Sequence, residues 1–120
     1  MPDYHEPTEE LQSKDRNYVR ALSSLKEEIE AVNWYHQRVA ASDDEQLKGI
    51  MAHNRDEEIE HACMTLEWLR RNMPGWDEQL KTYLFTSGDI TSLEEEAEAE
   101  EGSSESGNRS DIGIGSLKSK

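Results

Sequence analysis

The chain has 120 residues, of which 33% are hydrophobic and 33% are charged, and its formal net charge at pH 7 is −14. This charge argues against a nucleic-acid partner, whose phosphates it would repel, and no apolar run approaches the ~20 residues that a membrane-spanning helix needs. The single cysteine, Cys63, excludes an intrachain disulfide and indicates a reducing cytoplasm.

Two long helices are predicted in the first part of the chain. The first begins near Pro7 and runs until shortly before Ser42, with apolar residues at helical spacing and no Gly or further Pro. Ser42 is followed three residues later by Glu45, which is the signature of a capping box and predicts the start of the second helix. That helix runs to about Asn72, because a Pro-Gly pair soon follows and ends it.

The remainder of the chain predicts a short third helix, a linker and a terminal peptide. The helix spans residues 77–85 and completes an all-α domain, residues 1–87, built on an antiparallel two-helix hairpin. Residues 88–111 join a block of glutamates to a Ser/Gly-rich stretch, which predicts a flexible linker. Residues 112–120 space aliphatic side chains among small ones, which is the form of a docking peptide.

Three candidate metal ligands fall at matching positions of the two long helices. With a turn centred near Asp43, Glu28 and Glu58 both lie fifteen residues away from it, or ~22 Å along a helix. His61 follows Glu58 by three residues and therefore projects from the same helix face. Carboxylates with one imidazole suit iron or manganese, and Glu-x-x-His is the recurring ligand unit of ferritin-like di-metal sites.

These ligands interrupt seams that are otherwise apolar. Glu28 is the one charged residue in the seam of the first helix. The seam of the second helix has apolar ends and a polar middle, and consists of Leu47, Met51, Asn54, Glu58, His61, Thr65 and Trp68. Unpaired carboxylates in such seams are costly to bury, whereas a bound metal ion compensates their charge.

The chain holds only half of a ferritin-like ligand set. A complete set takes one Glu from each of two helices and a Glu-x-x-His pair from each of two more. This chain has one copy of each part, so a two-fold dimer supplies the missing half. The sequence therefore predicts dimerisation into a ferritin-like four-helix bundle, with two iron ions per dimer on the axis.

Other polar residues lie near the candidate ligands. Tyr35 is two turns from Glu28 on the same seam, where it packs beside the site or hydrogen-bonds a ligand. Two groups of residues either attract and hand on Fe²⁺ or form solvated charged faces. They are Glu27 with Glu30 on the first helix, and His53, Glu57 and Glu60 on the second.

Six segments of the sequence carry a family resemblance. They are residues 27–35 (EEIEAVNWY), 53–58 (HNRDEE), 60–61 (EH), 64–71 (MTLEWLRR), 82–86 (TYLFT) and 114–118 (IGSLK). Together they resemble the encapsulated ferritins over nearly the whole folded part and the tip of the tail. Asn33 and His36 depart from the family pattern, since each stands where an acidic residue is expected.

The resemblance implies a specific assembly. Two-helix protomers would dimerise to build a ferroxidase centre, and five dimers would form a ring-shaped homodecamer. Residues Ile112–Lys118 resemble the tag that binds the inner wall of an encapsulin shell, which places the protein in the lumen of a cytoplasmic nanocompartment that stores the iron mineral.

The resemblance also assigns roles to particular residues. Glu28, Glu58 and His61 would hold the metal ions, with Tyr35 close by. Glu27 and Glu30 correspond to the place where iron enters. The polar group on the second helix corresponds to a weaker outer metal site and consists of His53, Glu57 and Glu60.

The predicted function is ferroxidase activity. Two Fe²⁺ ions bind between the paired ligand sets, a carboxylate such as Glu58 bridges them, and O₂ takes one electron from each. Two alternatives remain open. A non-enzymatic helical adaptor that docks to a shell would form an oligomer indifferent to iron. A di-iron enzyme acting on peroxide or an organic substrate would turn over peroxide without consuming iron.

Overall fold

A computed structural model describes residues 4–103, which contain helices and no strand, so the predicted all-α fold class is confirmed. No helix in this range is both long and apolar enough to cross a bilayer. The elements are a 3₁₀ turn at Thr8–Glu10 and four helices: α1 (Ser13–Ala41), α2 (Glu45–Asn72), α3 (Trp76–Tyr83) and α4 (Ile90–Ser103). The chain divides into two compact units, the first ending at Met73 and the second beginning at Pro74.

The first helix starts later than its sequence predicts. A 3₁₀ turn follows Pro7, and Leu11 then takes an extended backbone (φ −102°, ψ 137°) that interrupts the helical path. Helix α1 begins only at Ser13, where the Asp15 carboxylate accepts the backbone N–H of Gln12 at 3.2 Å. A side-chain acceptor of this kind satisfies one of the N–H groups that a helix start leaves unpaired.

The loop between α1 and α2 uses a different cap from the predicted one. The Asp44 carboxylate, not the Ser42 hydroxyl, accepts the N–H of Leu47, at 2.9 Å, and therefore caps α2. Glu45 is consequently the first residue of α2 and lies too early to complete a capping box. Ser42 instead caps the end of α1, and its hydroxyl accepts the N–H of Asp44 at 3.2 Å.

Helices α1 and α2 pack along their lengths as the predicted antiparallel hairpin. Far from the loop, the Tyr18 hydroxyl donates to the carbonyl of Asn72 at 3.0 Å, and its ring meets Trp68 edge-on at 6.4 Å. Leu69 is the one fully buried hydrophobic residue in the described range. Many large apolar side chains of the hairpin stay exposed, namely Leu22, Ile29, Trp34, Leu47, Ile50, Ile59, Met64 and Trp68.

The second unit contains α3 and α4. Gly75 precedes α3 with φ +102°, a conformation that favours glycine. Helix α4 lies inside the stretch that the sequence predicts as a flexible linker. Asp89 caps the start of this helix by accepting the N–H of Ser92 at 3.0 Å. Hydrogen bonds from Thr91 and then Ser92 lower the pKa of the Asp89 carboxyl. The docking peptide predicted at residues 112–120 lies outside the described residues.

The position of Leu69 predicts a large effect of shortening its side chain. We expect Leu69→Ala to lower the free energy of unfolding by ~2–5 kcal/mol, because it removes buried methyl groups and leaves a cavity. The measurement is denaturant unfolding at matched protein concentration. Leu69→Met, which conserves volume, is the control and should cost less than ~1.5 kcal/mol. Equal losses in the two variants would contradict the prediction.

Candidate metal centre

Glu28 lies near the middle of α1 and has two oxygens in different surroundings. Its Oε2 accepts a hydrogen bond from the Thr65 hydroxyl of α2 at 3.3 Å. Its Oε1 is buried and has no hydrogen-bond partner among residues 4–103. A buried oxygen without a donor costs free energy, and the cost is larger when the group is charged. Glu28 therefore presents one buried acceptor that a cation can satisfy.

Glu58 and His61 lie one turn apart on α2 and face each other. The His61 Nδ1 is 3.6 Å from Oε1 of Glu58, and its Nε2 is 3.9 Å from Oε1 of Glu57. Both distances exceed a normal hydrogen bond, so neither carboxylate holds the ring tightly. The imidazole is 43% exposed and the Glu58 side chain 27% exposed, which leaves both accessible to a ligand.

Side chains of the two antiparallel helices lean in opposite directions relative to the connecting loop. Each Cα–Cβ bond tilts toward the helix N-terminus. Side chains of α1 therefore lean away from the connecting loop, and those of α2 lean toward it. Glu28 contacts Thr65 through the hydrogen bond that the Thr65 hydroxyl donates, and Thr65 lies seven residues beyond Glu58. Equal residue counts from the loop therefore do not by themselves determine which side chains contact one another.

Tyr35 lies two turns from Glu28 and is half-buried. The guanidinium carbon of Arg38 is 5.3 Å from the centre of its ring, a cation–π contact. Within residues 4–103, no hydrogen bond joins the Tyr35 hydroxyl to any of the three candidate ligands. The structure thus places Tyr35 on the same helix as Glu28 without linking the two.

The remaining predicted site residues lie on exposed surface. Glu27 and Glu30 flank Glu28 on α1, and their side chains are exposed. His53, Glu57 and Glu60 are likewise exposed on α2.

His36 makes a contact that its sequence position alone does not suggest. Its Nδ1 lies 3.2 Å from Nη1 of Arg55, whose Nε donates to the Asp56 carboxylate at 3.0 Å. Arginine can only donate hydrogen bonds, so the imidazole nitrogen is the acceptor and this tautomer carries its proton on Nε2.

Glu67 shows what a fully compensated carboxylate looks like in this hairpin. Arg70 donates to it at 2.8 Å and Arg71 at 2.6 Å, and these hydrogen bonds lower the pKa of the Glu67 carboxyl to about 2. Glu67 is therefore already paired with two cations. Glu28, in contrast, has only a neutral hydroxyl as its partner in the described range.

One protomer does not assemble a complete metal site. Among residues 4–103, no three His, Cys, Asp or Glu side chains converge on a point where one metal ion would fit. The partial set nevertheless fits iron, because it consists of carboxylate oxygens and an imidazole and includes the buried, partnerless Oε1 of Glu28. The sequence pattern assigns Thr65 to the polar seam without a role, and the structure shows that its hydroxyl contacts Glu28.

Comparisons with known proteins agree with one another. A profile of the EncFtn-like family matches residues 3–87. The chain is 63% identical over 114 residues to a ferritin-like protein from Thermotoga maritima, covering 95% of this chain and 96% of the relative. It is 54% identical over 121 residues to an encapsulated ferritin-like protein from Rhodospirillum rubrum, covering 95% and 86%.

A solved structure matches as well. The crystal structure of protein ne0167 from Nitrosomonas europaea superposes with a TM-score of 0.72 at 56% sequence identity. The match covers 74% of this chain and 98% of that one. The two proteins are therefore similar in sequence as well as in backbone structure.

The partnerless oxygen of Glu28 predicts an unusual effect on stability. We expect Glu28→Met to raise the free energy of unfolding of the metal-free protein by ~1–3 kcal/mol, because it removes a partly buried charge that lacks a cation. The measurement is denaturant unfolding in the presence of a chelator. Glu27→Met, at the exposed neighbouring position, is the control and should change stability by less than ~0.5 kcal/mol. A less stable Glu28→Met would mean that the Glu28 charge is already compensated.

Proposed function

The chain belongs to the EncFtn-like family of ferritin-like proteins, and from this premise we propose that it oxidises Fe²⁺ to Fe³⁺ with O₂ at a di-iron centre shared between two subunits. The observation that carries the proposal is the buried Oε1 of Glu28, which has no hydrogen-bond partner in the described range. It lies in the same hairpin as the facing pair of Glu58 and His61. Carboxylate and imidazole donors of this kind suit iron.

Dimerisation supplies the rest of the site. Glu28, Glu58 and His61, doubled by a two-fold axis, give four carboxylates and two imidazoles, the full set of a ferritin-like di-iron site. The exposed apolar side chains of the hairpin support this step, since Ile29 is 56% and Ile59 44% exposed. Apolar surface on that scale favours association with another apolar surface.

The residues of the chain act by position and charge. Fe²⁺ is the substrate: each of two ions supplies one electron to O₂, which takes up two protons from solvent and leaves as hydrogen peroxide. In this proposal Glu28 and Glu58 would compensate the ionic charge, and Glu58 would bridge the two ions. His61 ligates through one ring nitrogen, and Glu57 or Glu58 orients the other. Tyr35, which is half-buried two turns from Glu28, would lie beside the centre only in the dimer.

The acidic surface serves iron traffic in this proposal. Glu27 and Glu30 receive Fe²⁺ beside the centre, and a weaker outer site is formed by His53, Glu57 and Glu60. The net charge of −14 draws cations toward the molecule over longer distances.

The assembly is a homodecamer of five dimers loaded inside an encapsulin shell in the cytoplasm. Support for the shell comes from the relative in Rhodospirillum rubrum, which is named an encapsulated ferritin-like protein. In this chain, residues Ile112–Lys118 are the segment that docks to the shell. Oxidised iron leaves the open ring and is stored as mineral in the lumen.

Native mass spectrometry before and after anaerobic addition of Fe²⁺ tests the shared site. We expect an even-numbered oligomer that gains two iron ions per pair of subunits. Glu28→Ala, Glu58→Ala and His61→Ala should each lose this uptake and slow iron oxidation in air to the rate of iron in buffer. Glu98→Ala, on α4, is the matched control and should retain both.

The alternatives give different results in the same experiment. An assembly that stays iron-free in excess Fe²⁺ would leave only an adaptor that docks to a shell. Normal oxidation by Glu58→Ala would refute the ligand assignment. Turnover of peroxide without iron consumption would identify a different di-iron activity.

Shell loading is tested by deleting residues 112–120. We expect the shortened protein to keep its oligomeric state and iron oxidation, and to stop copurifying with a coexpressed encapsulin shell. The physical reason is that the three aliphatic side chains of this segment supply the apolar contacts of docking. Deletion of residues 104–111 is the control, because it shortens the tether and keeps the peptide. Unchanged loading after removal of 112–120 would place the docking segment elsewhere.

A further inference from the structure

We propose that Thr65 is a positioning residue for the metal centre: its hydroxyl holds Oε2 of Glu28, so that Oε1 is the oxygen offered to the metal. This inference rests on the proposed function and adds a residue to it. Its starting point is a single side chain with two unlike oxygens. Oε2 accepts the Thr65 hydroxyl at 3.3 Å, and Oε1 is buried without a partner in the described range.

The hydroxyl of Thr65 departs from the usual behaviour of threonine in a helix. A helical Thr hydroxyl commonly donates to the carbonyl four residues earlier. Thr82 in α3 does this, donating to the carbonyl of Glu78 at 3.1 Å. A hydroxyl has one proton to give, and Thr65 gives it to Glu28 on the other helix. This hydrogen bond therefore links Glu28, a candidate metal ligand on α1, to helix α2 close to the candidate centre.

The branched side chain makes this tie stiff. Threonine has few accessible χ1 rotamers in a helix, so its oxygen has few possible positions relative to the backbone of α2. His61 lies one turn before Thr65 on the same seam. The donor that orients Glu28 and the imidazole that ligates metal are thus held by one rigid element. Partners that orient a ligating group are worth ~10–100-fold in metal affinity.

The surroundings of Thr65 allow the hydroxyl to be removed without crowding. Thr65 lines an open groove of about 500 Å³, together with Ala21, Ser24, Met64 and Trp68. Valine has the same shape as threonine and lacks the donor, whereas serine keeps the donor and lacks the methyl group. The two substitutions therefore separate hydrogen bonding from packing.

The test compares anaerobic Fe²⁺ binding, by calorimetry, and the visible absorption spectrum of the Co²⁺-loaded protein in four chains: the parent, Thr65→Val, Thr65→Ser and Thr82→Val. We expect Thr65→Val to weaken Fe²⁺ binding by ~10-fold or more and to shift the Co²⁺ spectrum, because Glu28 loses its fixed orientation. Thr65→Ser should bind Fe²⁺ with the affinity of the parent and give the parent's Co²⁺ spectrum. Thr82→Val should match the parent in the same two measurements.

Metal uptake by the parent protein distinguishes a failure of this inference from a failure of the proposed function. If the parent takes up no metal, the di-iron proposal fails by itself. If the parent takes up two ions per pair and Thr65→Val matches it in affinity and spectrum, only the role of Thr65 is refuted. A Thr65→Ser protein that behaves like Thr65→Val would also refute it, since the methyl group and not the hydroxyl would then determine metal binding.

Folding is checked by native mass spectrometry and circular dichroism before the titrations, and Thr65→Ala provides a second chain without the hydroxyl. Weak binding by both hydroxyl-free variants in intact assemblies supports the positioning role. Failure of both to assemble, while Thr65→Ser assembles, would overturn it, because Thr65 would then be needed for the fold and not for the orientation of Glu28.

Discussion

The stability of the hairpin of α1 and α2 is limited by how little apolar surface its two helices bury against each other. Its helices have 29 and 28 residues, yet Leu69 is the one fully buried hydrophobic residue in the described range. Helices of this kind depend on packing of an apolar face more than on intrinsic propensity. The proposed dimer meets that need with the same surface that carries the ligands, so stability and iron chemistry would arise in one association step.

Placing a carboxylate in the middle of a seam has a cost in the metal-free chain. Glu67 avoids it through two arginines, whereas Glu28 has a hydroxyl on one oxygen and nothing on the other within residues 4–103. Local instability at a site is common where function requires a group that folding alone would not select. A pair of divalent ions would turn this unfavourable charge into a favourable one.

Much of the architecture follows from sequence pattern, and the exceptions have physical reasons. Apolar spacing and a Pro-Gly pair predict the hairpin and the end of α2 at Asn72. The sequence predicts Ser42 as the cap of α2, but Asp44 takes this role, because several capping residues follow one another in the loop and only the loop geometry decides between them. The bond from Thr65 to Glu28 joins residues at unequal distances from the loop, which counting equal numbers of residues from the loop does not predict.

Helix α4 changes how far the chain beyond it can reach. Its fourteen residues contain several glutamates and no lysine or arginine, so like charges on neighbouring turns repel one another. As a helix this segment spans ~21 Å at 1.5 Å per residue, and fully extended it would span ~46 Å at ~3.3 Å per residue. Screening of the glutamates by salt or bound cations favours the helix and hence the shorter span, and removal of the screening favours the extended form. If the terminal peptide docks as proposed, the radius within which it finds its docking surface would depend on the ionic composition around α4.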